Sequence, residues 1–132
     1  MKISSHTELI FVDEDTLFAF LEDMQNYQHL MPDQIINWEA TKEHCRFTIP
    51  GMTDIGLRLE KSSRFSNVKL LSDGRVPFLF QLDFQIKQLG NDQEVYIDFD
   101  ADMPAMLAMM AKKPLQNLIN HMVSHLKIHL IN

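Results

Sequence analysis

Three histidines near the C-terminus follow one another at the spacing of a helical metal site. His121, His125 and His129 are four residues apart, so a helix places them on neighbouring positions of one face, where an adjacent pair can bind a metal ion. Residues 103–132 contain no Asp or Glu, so a supporting carboxylate must come from elsewhere. Histidines at a helix C-terminus also interact favourably with its dipole. We therefore predict surface or cavity-rim histidines and no metal.

Acidic side chains alternate along one later segment, with Tyr96 as the interruption. They are Asp92, Glu94, Asp98, Asp100 and Asp102. Along a strand, side chains at i and i+2 stand roughly 6.5 Å apart, so at most two neighbours and a cross-strand partner could share one cation. The pattern favours a solvated outer face that also discourages edge pairing.

Methionines concentrate just before the C-terminal helix and within it. Met103, Met106, Met109 and Met110 fall within eight residues, and Met122 follows. Methionine is flexible and polarisable, so it fills irregular cores and also suits surfaces that adapt to varied apolar partners. The spacing leaves both interpretations open, as core residues or as an adjustable cavity wall.

Catalysis would require polar side chains that converge inside a cavity. The alternation of apolar and polar residues predicts outward positions for Arg46, Arg58, Glu60, Asp83, Tyr96 and Asp98. Ser5, Thr7 and Lys61 have inward parity but form no acid–base pair, although they could orient a polar head group. Cys45 also has inward parity and is predicted to be a buried, inert thiol. No catalytic residue is assigned.

These side chains are positioned by a predicted strand–helix–sheet–helix order. Residues 3–12 read as a strand, residues 13–23 as a helix with Asp13 as N-cap, and residues 26–31 as a second short helix. Segments 35–41 and 43–49 indicate a hairpin. Segments 54–65, 67–71, 79–89 and 95–101 read as further antiparallel strands, with a bulge near Lys61. Residues 103–113 and 115–130 are helical, and Pro114 should kink or break the helix between them.

Composition restricts the class of protein. The chain has 132 residues, 45% hydrophobic and 23% charged, with a single cysteine and a net charge of −6. These values exclude disorder and an intramolecular disulfide, and the acidic balance argues against nucleic-acid binding. Residues 1–102 carry nine basic and 18 acidic groups, whereas residues 103–132 carry three lysines. No signal peptide or bilayer-spanning run is evident, so we predict one soluble cytoplasmic domain, residues 1–132.

Several stretches resemble the START-like (SRPBCC) superfamily, the helix-grip proteins that include lipid-transfer domains and polyketide cyclase/dehydratase relatives. The residues that carry the resemblance are the 12–26 strand-to-helix segment, Leu30-Met31-Pro32, Trp38, Phe47 with Gly51-Met52, and the segments 101–107 and 113–115. The resemblance implies an α+β helix-grip fold, in which a curved antiparallel sheet of about seven strands wraps a long, Pro-kinked C-terminal helix. It also implies a cavity between them for a hydrophobic ligand.

The leading hypothesis is a protein that binds or carries a hydrophobic small molecule (lipid-, sterol- or polyketide-like), with no cofactor and no stable membrane insertion. The alternatives are a cyclase- or dehydratase-type enzyme and a co-chaperone-like interaction module. The residues predicted to line the cavity are Trp38, Phe47, Leu57, Phe80, Leu82, Phe84, Phe99, Met106, Met110 and Met122.

Overall fold

The computed structural model describes residues 1–131, and these residues form an antiparallel sheet of eight strands. The strands are β1 (Lys2–Ser4), β2 (Glu8–Ile10), β3 (Ile36–Ala40), β4 (His44–Ile49), β5 (Thr53–Ser63), β6 (Asn67–Ser72), β7 (Leu79–Leu89) and β8 (Asp92–Asp102). Their spatial order is β1-β8-β7-β6-β5-β4-β3, and β2 also pairs with β8. From β3 onward each strand pairs with the next along the chain, as consecutive hairpins require.

Two short helices lie between β2 and β3 in the sequence, and one long helix follows β8. They are α1 (Glu14–Leu21), a 3₁₀ helix (Met24–Leu30) and α2 (Ala105–His129). The Asp13 carboxylate accepts a hydrogen bond from the backbone N–H of Thr16 at 2.8 Å, which satisfies one free donor of the first turn of α1. The predicted α+β helix-grip architecture, including the short helices before the main sheet, is confirmed.

The first predicted strand is divided in two. β1 pairs with the second half of β8 and β2 with its first half. Between them, the Ser5 N–H donates to the Ile97 carbonyl oxygen, and the Ser5 hydroxyl accepts from the Ile97 N–H, both at 2.8 Å. A serine side chain thus replaces the backbone acceptor that an uninterrupted strand would supply, which the hydrophobic pattern of residues 3–12 could not indicate.

Pro114 does not end the C-terminal helix. α2 is continuous from Ala105 to His129 with Pro114 inside it, so the break that the sequence left open is absent. Proline removes the N–H that would bond to the carbonyl of residue 110. Because Pro114 is exposed, water can satisfy that carbonyl, and the helix continues.

The inner face of the sheet follows the predicted alternation. Phe80, Leu82, Phe84 and Ile86 are buried on β7, while the intervening polar side chains are half-buried or exposed. β5 has its irregular register between Leu59 and Lys61, where the sequence predicted a bulge. The inner face, α1, the 3₁₀ helix and α2 share one hydrophobic core. Within residues 1–131 no helix combines the length and apolar character needed to cross a membrane.

Candidate functional site

A pocket of about 580 Å³ opens between the middle of α2, the loop after the 3₁₀ helix and the turn between β4 and β5. Its volume falls in the range of roughly 300–1,000 Å³ typical of small-molecule sites. It is lined by Pro32, Asp33, Gln34, Ile35, Ile49, Pro50, Pro114, Asn117, Leu118, His121 and His125.

Short turns hold the two loops that face α2. The backbone N–H of Ile35 donates to the Pro32 carbonyl oxygen at 3.1 Å, and that of Met52 donates to the Ile49 carbonyl oxygen at 3.0 Å. Gly51 has a φ of 77°, a conformation that glycine adopts without steric penalty, and it reverses the chain directly after Pro50. These turns place the side chains of Ile35 and Ile49 on the pocket wall, where they also pack against the core.

The imidazoles of His121 and His125 form the polar part of the α2 wall. Nδ1 of His121 lies 3.0 Å from the backbone oxygen of Leu30, and Nδ1 of His125 lies 3.2 Å from that of His121. Because a carbonyl oxygen only accepts, both Nδ1 atoms carry a proton and donate it. The two rings stack with centroids 3.7 Å apart and planes 11° from parallel. Nε2 is the remaining polar atom that each ring can offer to a molecule in the pocket.

The histidine geometry does not suit a metal chelate. The Nε2 lone pairs lie in the ring planes, and because the two stacked planes are nearly parallel the lone pairs do not converge on one ion. Across residues 1–131 there is no group of three or more His, Cys, Asp or Glu side chains that could hold a metal ion. His129 stacks instead on His29, with ring centroids 4.4 Å apart, and lies outside the pocket lining.

The ten residues predicted to line a cavity occupy three kinds of position. Seven are buried in the core, namely Phe47, Leu57, Phe80, Leu82, Phe84, Phe99 and Met122. Trp38 is half-buried and stacks on Phe47 with ring centroids 5.7 Å apart. Met106 and Met110 are 78% and 74% exposed on the first turns of α2. None of the ten is in the lining of the 580 Å³ pocket, and ligand contact at these residues stays a prediction.

The other polar residues with inward parity are separated from the pocket. Ser5 is bonded to the backbone of β8, and Thr7 and Lys61 are exposed. Cys45 is 3% exposed, and burial, with a smaller contribution from the charge of Asp73, raises the pKa of its thiol to about 12. A thiol with so high a pKa is protonated at neutral pH and is a poor nucleophile.

A serine, a histidine and a carboxylate meet at the β2–α2 contact without forming a catalytic triad. His6 Nε2 lies 2.9 Å from Glu8 Oε2 and 3.0 Å from Ser124 Oγ. A triad needs the serine and the carboxylate on opposite ring nitrogens, whereas here both contact the same one. Burial opposes the ionisation of Glu8, but hydrogen bonding to His6 and the charges of His6 and Lys127 outweigh it and lower the Glu8 pKa. The cluster therefore ties α2 to β2.

None of the eleven lining residues was among the predicted ligand contacts, because five of them lie in loops and the other six lie on α2 or at the end of β4. Two signals were available. Pro32-Asp33 and Pro50-Gly51 mark turns, and the His121–His125 spacing marks one helical face. Nothing in the hydrophobic periodicity indicates that those two turns meet the same stretch of α2.

Comparison with known proteins gives a match in fold without a match in sequence. No protein-family model and no curated protein matches the sequence. A START superfamily protein from Mycobacterium smegmatis superposes with a TM-score of 0.72 at 16% identity, over 98% of this chain and 96% of that chain. Truncated norcoclaurine synthase from Thalictrum flavum superposes with a TM-score of 0.75 at 10% identity, over 100% and 94%. The XoxI protein from Bacillus cereus gives 0.73 at 12% identity, over 98% and 94%.

Because these sequence identities are low, the matches are evidence for the fold alone. The chain has the START-like, helix-grip fold. That fold hosts several unrelated functions, and the function must be argued from the site itself.

Proposed function

We propose that the protein binds or carries a hydrophobic small molecule (lipid-, sterol- or polyketide-like) at the pocket between α2, the loop that contains Ile35 and the turn that follows Ile49. The observation that carries the proposal is the 580 Å³ pocket, whose lining combines six apolar side chains with five polar ones. Proteins of this fold commonly bind hydrophobic ligands, which supports the same assignment.

The pocket floor is continuous with the hydrophobic core. Ile35, Ile49 and Leu118 line the pocket and also pack against the core. Met122, one turn after Leu118, is fully buried. We infer that the apolar end of the ligand points from Leu118 toward Met122, and that a ligand reaching the predicted aromatic wall would displace packed side chains.

The proposal is tested by native mass spectrometry of protein purified from its own host, followed by calorimetric titration with the co-purifying molecule. Leu118→Trp fills the pocket and should weaken binding at least tenfold. Ile128→Trp adds the same side chain at an exposed position of α2 outside the pocket lining and should leave the affinity unchanged. Equal affinities of the two variants, or protein that contains no ligand and takes up none, would contradict the proposal.

Two other functions have weaker support from the structure. His121 and His125 bring two titratable rings to one pocket, as a cyclase- or dehydratase-type enzyme would need. Met106, Met109 and Met110 are exposed on one helix, as an interaction module would need. Turnover of a polyketide-like substrate would support the first function, and a stoichiometric protein partner lost on Met106→Gln/Met110→Gln substitution would support the second.

The cellular setting is part of the same proposal. We place the protein in a reducing cytoplasm, with a small molecule and no nucleic acid as its partner. The free, buried Cys45 and the net charge of −6 support this setting.

A further inference from the structure

We propose that the ligand carries a neutral hydroxyl group at its polar end, and that this hydroxyl donates a hydrogen bond to Nε2 of His121 or His125. The inference rests on the proposed function, because it takes the pocket as the binding site. It adds the chemical class of the ligand's polar end: an apolar alcohol rather than a carboxylic acid or an amine.

The backbone fixes which atoms the two histidines present. Their Nδ1 atoms donate to the carbonyl oxygens of Leu30 and His121. A neutral imidazole has one donor and one acceptor, so with Nδ1 protonated each Nε2 is an acceptor. Two stacked rings therefore offer two acceptors on one wall, and a group that can donate a hydrogen bond satisfies them.

The charges around the pocket disfavour an anionic head group. Among the described residues of its lining, Asp33 is the one carboxylate, and no lysine or arginine is present. A ligand carboxylate would meet the Nε2 lone pairs and the negative charge of Asp33, and it would lose water without gaining a cationic partner. Asn117 and Gln34 can supply amide N–H donors to an anion, but they cannot neutralise its charge.

A cationic head group gains little from Asp33. The Asp33 side chain is exposed, so water and salt screen its attraction for an ammonium group. The same ammonium would still lose hydration on entering a wall of Ile35, Ile49 and Leu118. A neutral hydroxyl loses less on desolvation and fully uses an Nε2 acceptor.

Four probes that share one naphthalene body isolate the head group: 2-naphthalenemethanol, 2-methylnaphthalene, 2-naphthoate and 2-naphthylmethylammonium. Affinities are measured with the full chain by calorimetry and probe fluorescence at pH 8, where imidazoles are ordinarily neutral. We expect the alcohol to bind about fivefold tighter than the hydrocarbon, as one net hydrogen bond provides. It should bind at least about tenfold tighter than the carboxylate, and tighter than the ammonium. Equal or tighter binding of either charged probe overturns the inference.

Substitution of His121 and His125 tests whether these two histidines cause the preference for the alcohol over the hydrocarbon. His121→Phe/His125→Phe should remove the advantage of the alcohol, so that the ratio of its affinity to that of the hydrocarbon falls from about fivefold to less than about twofold. Retention of the alcohol preference overturns the inference. Should the double variant not fold, ¹⁵N NMR of the unaltered protein gives the same decision, since alcohol binding must shift an Nε2 resonance of His121 or His125, and unshifted resonances overturn it.

The outcomes separate the two proposals. If no probe binds, or if Leu118→Trp changes the affinity of none, the proposed function fails and the inference with it. If the hydrocarbon binds in a Leu118-dependent manner but the alcohol has no advantage over it, only the hydroxyl assignment fails.

Discussion

The thiol of Cys45 should make the stability of the protein fall at alkaline pH by a predictable amount. Cys45 lies on β4 opposite Leu57 and is 3% exposed, and burial raises the pKa of its thiol from 9.0 to about 12. In the unfolded chain the thiol ionises near its ordinary pKa. The contribution to folding is therefore complete below pH 9 and is lost as the pH rises toward 12.

The magnitude follows from proton linkage. Between the two pKa values the unfolded state holds one proton fewer than the folded state, so the free energy of unfolding falls by about 1.4 kcal/mol per pH unit. At pH 10.5 the loss amounts to about 2 kcal/mol. Cys45→Ala lacks this titration, so the difference in stability between the unaltered protein and the variant should shrink by about 2 kcal/mol between pH 8 and pH 10.5.

Urea unfolding followed by circular dichroism measures both proteins at the two pH values. Burial, with smaller contributions from the charges of Cys45 and Glu22, raises the pKa of Tyr27 well above its usual range. Burial is the largest cause and persists in Cys45→Ala, so Tyr27 stays protonated in both folded proteins at pH 10.5 and its contribution cancels in the difference. The loss of packing on Cys45→Ala is also the same at both pH values. A difference that does not change with pH would refute the burial of Cys45 and the inward parity of β4.

Three further changes test the elements that position the pocket. Tyr27→Phe removes the hydroxyl that donates to the Leu21 carbonyl oxygen at 2.8 Å. Because that buried carbonyl loses its partner, the free energy of unfolding measured in urea should fall by about 1–2 kcal/mol. An unchanged urea midpoint would contradict this. Gly56→Ala would place a Cβ 2.2 Å from the Asp73 backbone oxygen. We therefore expect the free energy of unfolding to fall by about 2 kcal/mol or more. A fall of less than about 0.5 kcal/mol would contradict the close approach. Asp13→Ala removes the α1 cap. The hydrogen bonds to Thr16 lower the Asp13 pKa, so the contribution of the cap is complete above the ordinary Asp pKa and is lost in acid; the variant should melt at a lower temperature at pH 7, and the difference should narrow below pH 4.

Local patterns predicted much of the fold because each pattern has a local physical cause. Asp13 caps α1 because a carboxylate three residues before Thr16 can reach its N–H. Phe80 and Phe84 are buried because alternate side chains of a strand point to one face. The same alternation could not reveal the break between β1 and β2, since Ser5 replaces a backbone acceptor with its side chain.

The sequence alone determined the acidic, single-cysteine composition, the order of elements and the parity of the strands. Only the tertiary structure decided which surfaces form a pocket. It brought the turns at Pro32 and Pro50 against the middle of α2, and it paired His121 with the Leu30 carbonyl, 91 residues away. It also left Met106 and Met110 exposed, whereas their helical spacing had left a core position and a cavity wall both open. Periodicity indicates which side of a helix is apolar. The direction in which that helix packs across the sheet depends on contacts between residues that are far apart in the sequence, and no local pattern contains them.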